Sequence, residues 1–357
     1  MQNKSYLKGR GGQGNPSNRF LELEHETLNE FLEYCSKNGE VARSPKTKYI
    51  PVYPKTVINP VNSPDVPMKF SMNPYQGCEH GCIYCYARNT HEFWGYSAGL
   101  DFEQQILVKE EAPVLLEQKL RKKSWKAETI VLSGNTDCYQ PAEQKFKLTR
   151  ACLEVFLKYR HPVGIITKNS LVLRDIDLIE ELAQHNLVGV HISLTSLNEN
   201  TRRVLEPRTT SIKKRLETIR ILSEKNIPVN AMLAPIIPGI NSHEILDLAR
   251  RASENGAISF ALTIVRLNGA IGQIFTDWIR KAMPAKADKV LGLIAACHGG
   301  KLNDSRFGLR VKGEGQIARQ INDLGKLAKN RYFKDKAFPS LNRSMHQDFK
   351  DGQLRLF

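Results

Sequence analysis

Between residues 68 and 265, short runs of β-branched and apolar residues alternate with longer amphipathic stretches. The short runs predict strands at 68–73, 129–133, 163–167, 187–194, 229–234 and 258–265. The stretches between them predict helices at 149–159, 173–184, 212–224, 243–254 and 275–282. Strands that alternate with helices form parallel sheets with helical crossovers. The pattern therefore predicts an α/β fold, a partial (β/α)6 TIM-like barrel at 68–285, with a doubly wound open sheet as the alternative.

The segments on either side of this pattern are different in character. Residues 1–67 predict a flexible arm, with a short helix at 20–34 and an extended lead-in from 46, and the glycine-rich stretch 8–12 is expected to bury nothing. Residues 286–332 predict a basic helical extension with helices at 290–297 and 317–329. Residues 333–357 are polar and predict a flexible C-terminal tail.

The composition and the net charge indicate which kinds of molecule the protein could bind. The 357 residues are 41% hydrophobic, which is enough for one large core, and the net charge is +15. Such a charge attracts polyanions and predicts a nucleic-acid partner, with a basic enzyme that binds no polymer as the alternative. The predicted nucleic-acid surface is Arg306, Arg310, Lys312, Arg319, Lys326, Lys329 and Arg331.

The N-terminal stretch has no apolar core typical of a signal peptide, and no run reaches the roughly 18 apolar residues that span a bilayer. The seven cysteines are an odd number, and three of them fall within eight residues. In a chain without an export signal this pattern favours metal ligation over disulfides. We therefore expect a cytoplasmic protein with no membrane partner.

The crowded cysteines, Cys78, Cys82 and Cys85, follow the first predicted strand, where a barrel places an active-site loop. Three thiolates can hold three corners of a four-iron cubane and leave the fourth iron open to chemistry, whereas electron-transfer clusters of this size use four cysteines. The alternative is a zinc site completed by His80. The remaining cysteines, Cys35, Cys138, Cys152 and Cys297, are scattered.

The spacing Cys-x3-Cys-x-aromatic-Cys, with Tyr84 as the aromatic, resembles the signature of the radical S-adenosylmethionine (SAM) superfamily. The resemblance covers 68–265 and implies a [4Fe-4S] cluster on the three cysteines. It also implies S-adenosyl-L-methionine (AdoMet) chelating the open iron, and an external electron donor. In that superfamily the reduced cluster cleaves AdoMet, and the resulting 5′-deoxyadenosyl radical takes a hydrogen atom from the substrate; the cofactor supplies the chemistry.

The same resemblance implies a set of cofactor-binding residues. It assigns the methionyl amino group to the loop of Ser133, Asn135 and Asp137, the ribose to Ser193 or Thr195, and the adenine to the loop that begins at Pro235. Lys168 or Arg208 would pair with the carboxylate of the cofactor. The alternatives are turn-capping residues at 133–137, polar residues satisfied within the core, and solvated surface charges.

Within the superfamily the chain is most similar to the spore photoproduct lyase-like group, also described as DNA repair photolyase-like. The resemblance lies in the stretches 82–88, 136–143 and 167–170, the last followed by Arg174 and Asp175. It implies a lyase-like enzyme acting on DNA, with catalytic roles for Tyr84 and Tyr86. The cysteine that donates hydrogen in the lyase aligns with Gly134, so Cys138, four residues on, is the alternative donor. A radical SAM enzyme acting on RNA, a peptide or a small molecule, and a non-enzymatic iron–sulfur protein that binds nucleic acid, remain as alternatives.

The last five residues resemble the peptide that docks bacterial polymerases and repair proteins on the sliding clamp. The matching positions are Gln353, Leu354, Leu356 and Phe357. Adjacent apolar anchors on a polar tail predict a receiving pocket on a partner. The alternative is that the tail folds back and caps its own barrel.

Overall fold

A parallel sheet forms the centre of the protein. The computed structural model describes residues 6–20 and 47–350. Its strands are β1 (Lys48–Pro51), β2 (Ile58–Pro60), β3 (Phe70–Met72), β4 (Tyr75–Gln76), β5 (Gln105–Val108), β6 (Ile130–Leu132), β7 (Val163–Thr167), β8 (Val188–Ser193), β9 (Val229–Ile236) and β10 (Ser259–Ile264). All six predicted strands are present, as β3 and β6 to β10.

The order of the strands identifies the architecture. β3, β6, β7, β8, β9 and β10 lie side by side in that order, each parallel to the next, and β2 pairs antiparallel with β3 at one edge. Parallel crossovers share one hand, so strands laid in sequence order place their helices on a single face. The predicted partial barrel is confirmed. The doubly wound alternative, in which the strand order reverses at a switch point, is wrong.

Helices follow the strands in the predicted rhythm. The α-helices are Asp101–Gln104, Ala112–Arg121, Ala142–Phe146, Leu148–Lys158, Ile176–Gln184, Glu199–Leu205, Ile212–Glu224, Ile245–Glu254, Ile271–Ala282, Ala287–Ala296, Leu309–Lys312, Gly315–Tyr332 and Ser344–Lys350. Short 3-10 helices lie at Tyr86–Thr90, Glu92–Trp94, Ser170–Asp175, Ser242–Glu244 and Pro284–Lys286. Helix Ile212–Glu224 has the predicted bounds, because the Ser211 side chain accepts a hydrogen bond from the Lys214 amide at its start.

The two faces of the sheet carry different side chains. One face contributes Ile165, Val190 and Ala231 to the main core, together with the apolar sides of the crossover helices. The other face has small or polar residues in register, such as Gly164 beside Gly189 and His191 beside Asn230. Because side chains alternate along a strand, Ser193 lies on this second face, at the carboxyl end of β8. The inner face of the barrel therefore leaves room for a ligand.

A second, three-stranded sheet was not predicted. It has the order β1-β5-β4, and β1 precedes the first barrel strand in the chain whereas β4 and β5 lie between the first and the second. β4 has only two residues and β5 has four, which is too short for a clear period-two pattern. This small sheet carries the cysteine loop, because β4 ends at Gln76, immediately before Gly77 and Cys78.

The C-terminal region packs on the barrel. Helix Gly315–Tyr332 contributes Ala318, Ile321 and Ala328 to the main core. Residues 333–349 differ from the predicted flexible tail: Phe333 and His346 are buried, and the Phe338 ring stacks on His191 at 5.3 Å between centroids. A Cβ on Gly189 would lie 2.6 Å from the Phe338 ring, so glycine at that position admits the ring onto the inner face of the sheet. Part of the polar tail thus closes one end of the barrel.

Three predictions concern residues beyond those described. The helix predicted at 20–34, Cys35 and the clamp-like residues Gln353, Leu354, Leu356 and Phe357 all lie wholly or mainly outside 6–20 and 47–350. Within the described residues, no helix has both the length and the apolar character needed to cross a membrane.

Candidate active site

The three crowded cysteines lie on one tight loop between β4 and the 3-10 helix Tyr86–Thr90. Gly77 and Gly81 have φ of +81° and +68°, a backbone region that strongly favours glycine. A Cβ on either residue would come within 2.8 Å of a neighbour: the Gln105 carbonyl oxygen beside Gly77 and the Glu103 carboxylate beside Gly81. The two glycines therefore let the loop wind tightly enough to bring its cysteines to one side.

The chemistry of the loop fits a cluster better than a single metal ion. Cys78 and Cys82 are buried, Cys85 is half-buried, and none forms a disulfide. Within 6–20 and 47–350, no three His, Cys, Asp or Glu side chains are grouped to hold one metal ion. A cubane accepts this arrangement, because each thiolate binds a different iron. Burial raises the pKa of all three thiols, so iron has to displace their protons.

His80, the fourth ligand of the zinc alternative, is engaged elsewhere. Its Nδ1 lies 3.3 Å from Asp137 Oδ2, and its Nε2 lies 3.4 Å from the Asn169 side-chain amide. The Nε2 of His80 therefore has a polar partner outside the cysteine loop, and its Nδ1 faces Asp137 without a hydrogen bond to any described residue. The described arrangement does not support the zinc interpretation.

A fully buried ion pair supports the loop from behind. Arg88 and Glu103 are both 0% exposed and meet at 2.6 Å. The same guanidinium donates to the Cys82 carbonyl oxygen at 3.0 Å and to the Gly99 carbonyl oxygen at 2.9 Å. Arg88 thus ties the backbone of a predicted cluster ligand to the small-sheet region.

The N-terminal segment completes this support, which corrects the prediction that residues 8–12 bury nothing. The backbone amides of Gly11 and Gly12 donate to the Glu103 carboxylate at 3.3 and 2.7 Å. Arg10, Gly11 and Gly12 are buried, and a Cβ on Gly11 would collide with the carbonyl oxygen of Gly81. The glycines of this stretch permit close packing of two backbones rather than flexibility.

A second buried charge network lies beside Tyr84. Its hydroxyl donates to Glu206, which also accepts from Thr195 Oγ1 at 2.7 Å and pairs with Arg215 at 2.6 Å. Burial alone would raise the pKa of Glu206, but Arg215, Lys168 and these hydrogen bonds lower it to about 2. The Thr195 hydroxyl, predicted to contact the ribose, is therefore bound to Glu206.

Lys168 and Ser193 are predicted cofactor residues whose side chains make no hydrogen bond or ion pair with any described residue. Lys168 follows β7, and among the described residues its ammonium makes no hydrogen bond or ion pair. Burial would lower the pKa of Lys168, but the charges of Cys82 and Glu206 raise it above its usual value, so the ammonium stays charged. The Ser193 hydroxyl, 3% exposed on the inner face of the sheet, likewise has no hydrogen-bond partner within the described ranges.

The side chains of the predicted loop, Ser133, Asn135 and Asp137, all form hydrogen bonds with other protein groups. The Ser133 hydroxyl accepts from the Cys138 amide at 2.7 Å, and the Asn135 side chain donates to Thr90 Oγ1 at 2.9 Å. Asp137 accepts from the Lys168 amide at 2.9 Å and from Thr167 Oγ1 at 2.8 Å. Although burial raises the pKa of Asp137, His80 and the backbone amides of Lys168 and Tyr139 lower it to about 2. The loop therefore acts first as a brace between strand ends.

Arg208 and Pro235, the remaining predicted cofactor residues, each have a polar partner. Arg208 Nη1 is 3.8 Å from Glu79 Oε1, so Arg208 has an acidic partner on the cysteine loop and is the weaker of the two carboxylate-binding candidates. The Pro235 carbonyl oxygen accepts from Asn241 Nδ2 at 3.1 Å. Asn241, fully buried, also donates to the Thr195 carbonyl oxygen at 2.7 Å. Sequence reasoning missed Asn241, because its role depends on a contact with a residue 46 positions away in the chain.

The two predicted hydrogen-transfer residues are placed very differently. Tyr86 is 48% exposed, and its hydroxyl donates to the Gly134 carbonyl oxygen, at the position that aligns with the donor cysteine of the lyase. Cys138 is 0% exposed within the main core, where its side chain lies against Ser133 and Thr149. Tyr86 is therefore accessible to solvent, whereas Cys138 is enclosed in the core.

Comparison with known proteins agrees with this site. A family model described as the radical SAM superfamily matches residues 72–252. The chain is 34% identical over 233 residues to the uncharacterized protein Rv2578c of Mycobacterium tuberculosis, covering 64% of this chain and 68% of that protein. It is 33% identical over 195 residues to the uncharacterized protein MJ0683 of Methanocaldococcus jannaschii, covering 55% and 70%. The chain therefore belongs to the radical SAM superfamily.

Solved structures show the same fold. Spore photoproduct lyase complexed with dinucleoside spore photoproduct superposes with a TM-score of 0.60 at 14% identity, over 85% of this chain and 92% of the lyase. A double mutant of the lyase with bound AdoMet and dinucleoside spore photoproduct gives 0.60 at 13% identity, over the same shares. Membership of the superfamily makes the protein an enzyme and implies a [4Fe-4S] cluster and AdoMet.

Proposed function

We propose that this protein is a radical SAM enzyme that acts on nucleic acid, with DNA favoured, in a repair-like reaction in the cytoplasm. The observation that supports it most is that Lys168, at the carboxyl end of the parallel strand β7, lies in electrostatic reach of Cys82 and Cys85 in the cysteine loop. The net charge of +15 and the shared fold of spore photoproduct lyase favour a polyanionic substrate.

Each residue of the site has a definite task in this proposal. The three cysteines would hold the cluster, which with bound AdoMet supplies the radical that starts the reaction. Lys168 pairs with the carboxylate of the cofactor, and Ser193 offers its hydroxyl to the ribose. Tyr84 is held by Glu206, so its ring forms a fixed wall beside Cys82 and Cys85. Tyr86, exposed at the mouth, is the group that exchanges hydrogen with the substrate.

The proposal is tested in two stages with anaerobically reconstituted protein. The first stage asks whether a strong reductant yields 5′-deoxyadenosine from AdoMet; no product would remove the enzyme assignment. The second uses deuterated DNA and RNA oligonucleotides and follows deuterium into 5′-deoxyadenosine. Transfer from DNA supports the proposal, and transfer from RNA alone corrects the preferred substrate. Cofactor cleavage with no transfer from either polymer, under conditions in which both bind, would contradict a nucleic-acid substrate.

A stable cluster without any cleavage of AdoMet would instead favour a non-enzymatic nucleic-acid-binding protein. Tyr86→Phe keeps the ring and removes the hydroxyl, so it separates positioning from hydrogen exchange. We expect this variant to retain 5′-deoxyadenosine formation but to lose most of the finished product.

A further inference from the structure

A half-buried arginine without a partner among the described residues lies at the carboxyl end of the last barrel strand. Arg266 follows β10 by two residues. The backbone on both sides of it is fixed, because the Val265 amide donates to Ile236 and the Leu267 amide donates to Leu302, each at 2.9 Å. Ligands of parallel α/β folds bind at this edge of the sheet. Arg266 therefore stands on a rigid support at the mouth of the barrel.

The guanidinium of Arg266 has unused hydrogen-bonding capacity. Among the described residues it makes neither a hydrogen bond nor an ion pair. Burial lowers the pKa of Arg266 below its usual value, and the neighbouring positive charge of Arg310 lowers it further. The surroundings of Arg266 therefore disfavour its charged form. A buried cation without a counter-charge is costly unless a ligand supplies one.

The nearby carboxylates are already committed. Asp65, the acidic group in electrostatic reach of Arg266, accepts from the Gly308 amide at 2.5 Å and pairs with Arg310. Asp304, farther along the same segment, pairs with Arg306 at 2.5 Å. Asp65 thus pairs with Arg310 rather than with Arg266, which leaves the positive charge of Arg266 for an external anion.

Two exposed aromatic rings lie near this charge or near its neighbour Arg310. Tyr86 is 48% exposed and in electrostatic reach of Arg266. The loops that carry Tyr86 and Arg266 are joined, because Asn89 donates to the Asn268 carbonyl oxygen at 2.8 Å. Phe307 is 59% exposed, and its ring is stacked at 4.3 Å by the guanidinium of Arg310, which is itself in electrostatic reach of Arg266.

We infer that Arg266 binds a phosphodiester of a single-stranded polynucleotide, while the rings of Tyr86 and Phe307 stack against its unpaired bases. Guanidinium groups match phosphate geometry, and aromatic platforms beside cations are typical of single-strand binding, because every base has a stacking face. The inference rests on the proposed function and adds the strand form of the substrate and the residues that hold it.

The test measures binding of fluorescent 12-nucleotide DNA and RNA single strands, the matching duplex and an acidic peptide to the reconstituted full-length protein. We expect Arg266→Gln to weaken single-strand binding about tenfold or more, since a charge-assisted hydrogen bond is lost. The slope of log affinity against log salt should fall by about 0.7, the contribution of one phosphate contact on a single strand. Arg266→Lys should restore most of the slope but only part of the affinity, and Phe307→Ala should weaken binding without changing the slope.

The control is Arg250→Gln, which removes an exposed arginine that already pairs with Asp247 and Glu254 on its own helix. Iron content and the visible absorbance of each variant report whether the cluster loop is intact. If the parent binds single strands and Arg266→Gln binds them equally well with the same slope, the site is wrong while the proposed function stands. If the parent binds no nucleic acid, the proposed substrate class fails. Arginine-dependent binding of the duplex alone, or of the acidic peptide alone, would also overturn the inference.

Discussion

Two buried ion pairs behind the cysteine loop contrast with two cations on its open side, which make no ion pair with any described residue. Behind the loop, Arg88 meets Glu103 and Arg215 meets Glu206, each pair at 2.6 Å and all four side chains essentially buried. On the open side, Lys168 and Arg266 are half-buried cations without a hydrogen bond or ion pair to any residue within 6–20 and 47–350.

The difference separates groups that hold the site from groups that bind ligands. Removing one partner of a buried pair leaves an uncompensated charge, so such pairs fix the geometry around them. At a half-buried position, an unpaired cation stabilises the fold less than an apolar side chain would. We therefore interpret the paired side as the support of the cluster loop and the open side as the place of the cofactor and substrate.

The largest effect on the site is expected from replacing the three cysteines of the loop, because the paired side supports this loop and the open side faces it. Cys78→Ala, Cys82→Ala or Cys85→Ala should each abolish the brown chromophore of the reconstituted protein. One iron of the cubane already lacks a protein ligand, so a cluster that loses a further thiolate is held by only two. Cys152→Ala and Cys297→Ala are the matched controls, since both residues are buried in the main core. Absorbance and iron analysis measure the outcome; colour retained in a triplet variant, or lost in a control, would show that the ligands are wrongly assigned.

The next effect tests the paired side. Arg88→Met leaves Glu103 buried without its cation and should lower the free energy of unfolding by roughly 3–5 kcal/mol. The double variant Arg88→Met/Glu103→Leu removes both charges and should recover a large part of that loss. Denaturant titration of each protein gives the values, with Arg250→Met as a surface control near zero. A cost below about 1 kcal/mol for Arg88→Met would mean that the pair does not support the loop.

The sequence predicts the barrel strands and the cysteine triplet well, and it predicts the surrounding support of the cysteine loop poorly. The barrel strands were found because β7, β8 and β9 are long, apolar and bordered by turns. The small sheet was missed because its strands are short. The N-terminal glycines were misread because a glycine-rich stretch looks the same in sequence whether it is flexible or lets two backbones pack closely. The cysteine triplet was recognisable from spacing, whereas the Arg88–Glu103 pair and the isolation of Arg266 depend on contacts that only the fold creates.

A third effect tests the open side. Lys168→Met keeps the length of the side chain but removes the ammonium, so it should weaken AdoMet binding about ten- to hundredfold, the range of one charge-assisted hydrogen bond. Equilibrium binding of AdoMet to the reconstituted protein measures the change. Lys158→Met serves as the control, because Lys158 is an exposed lysine paired with Glu117 at 2.7 Å. Affinity equal to that of the parent would place the carboxylate of the cofactor elsewhere, with Arg208 as the next candidate.

The smallest effect on the site is expected from the end of the chain, which lies outside the described residues. We propose that Gln353, Leu354, Leu356 and Phe357 dock on a sliding clamp, because adjacent apolar anchors after a polar stretch need a pocket to receive them. Deleting residues 353–357 should leave AdoMet cleavage unchanged and abolish capture by immobilised clamp. The double variant Leu356→Ala/Phe357→Ala is a length-matched control that should also fail to bind. A full-length protein that ignores the clamp, or a truncated one that unfolds at lower denaturant, would make these residues part of the fold, as residues 333–349 already are.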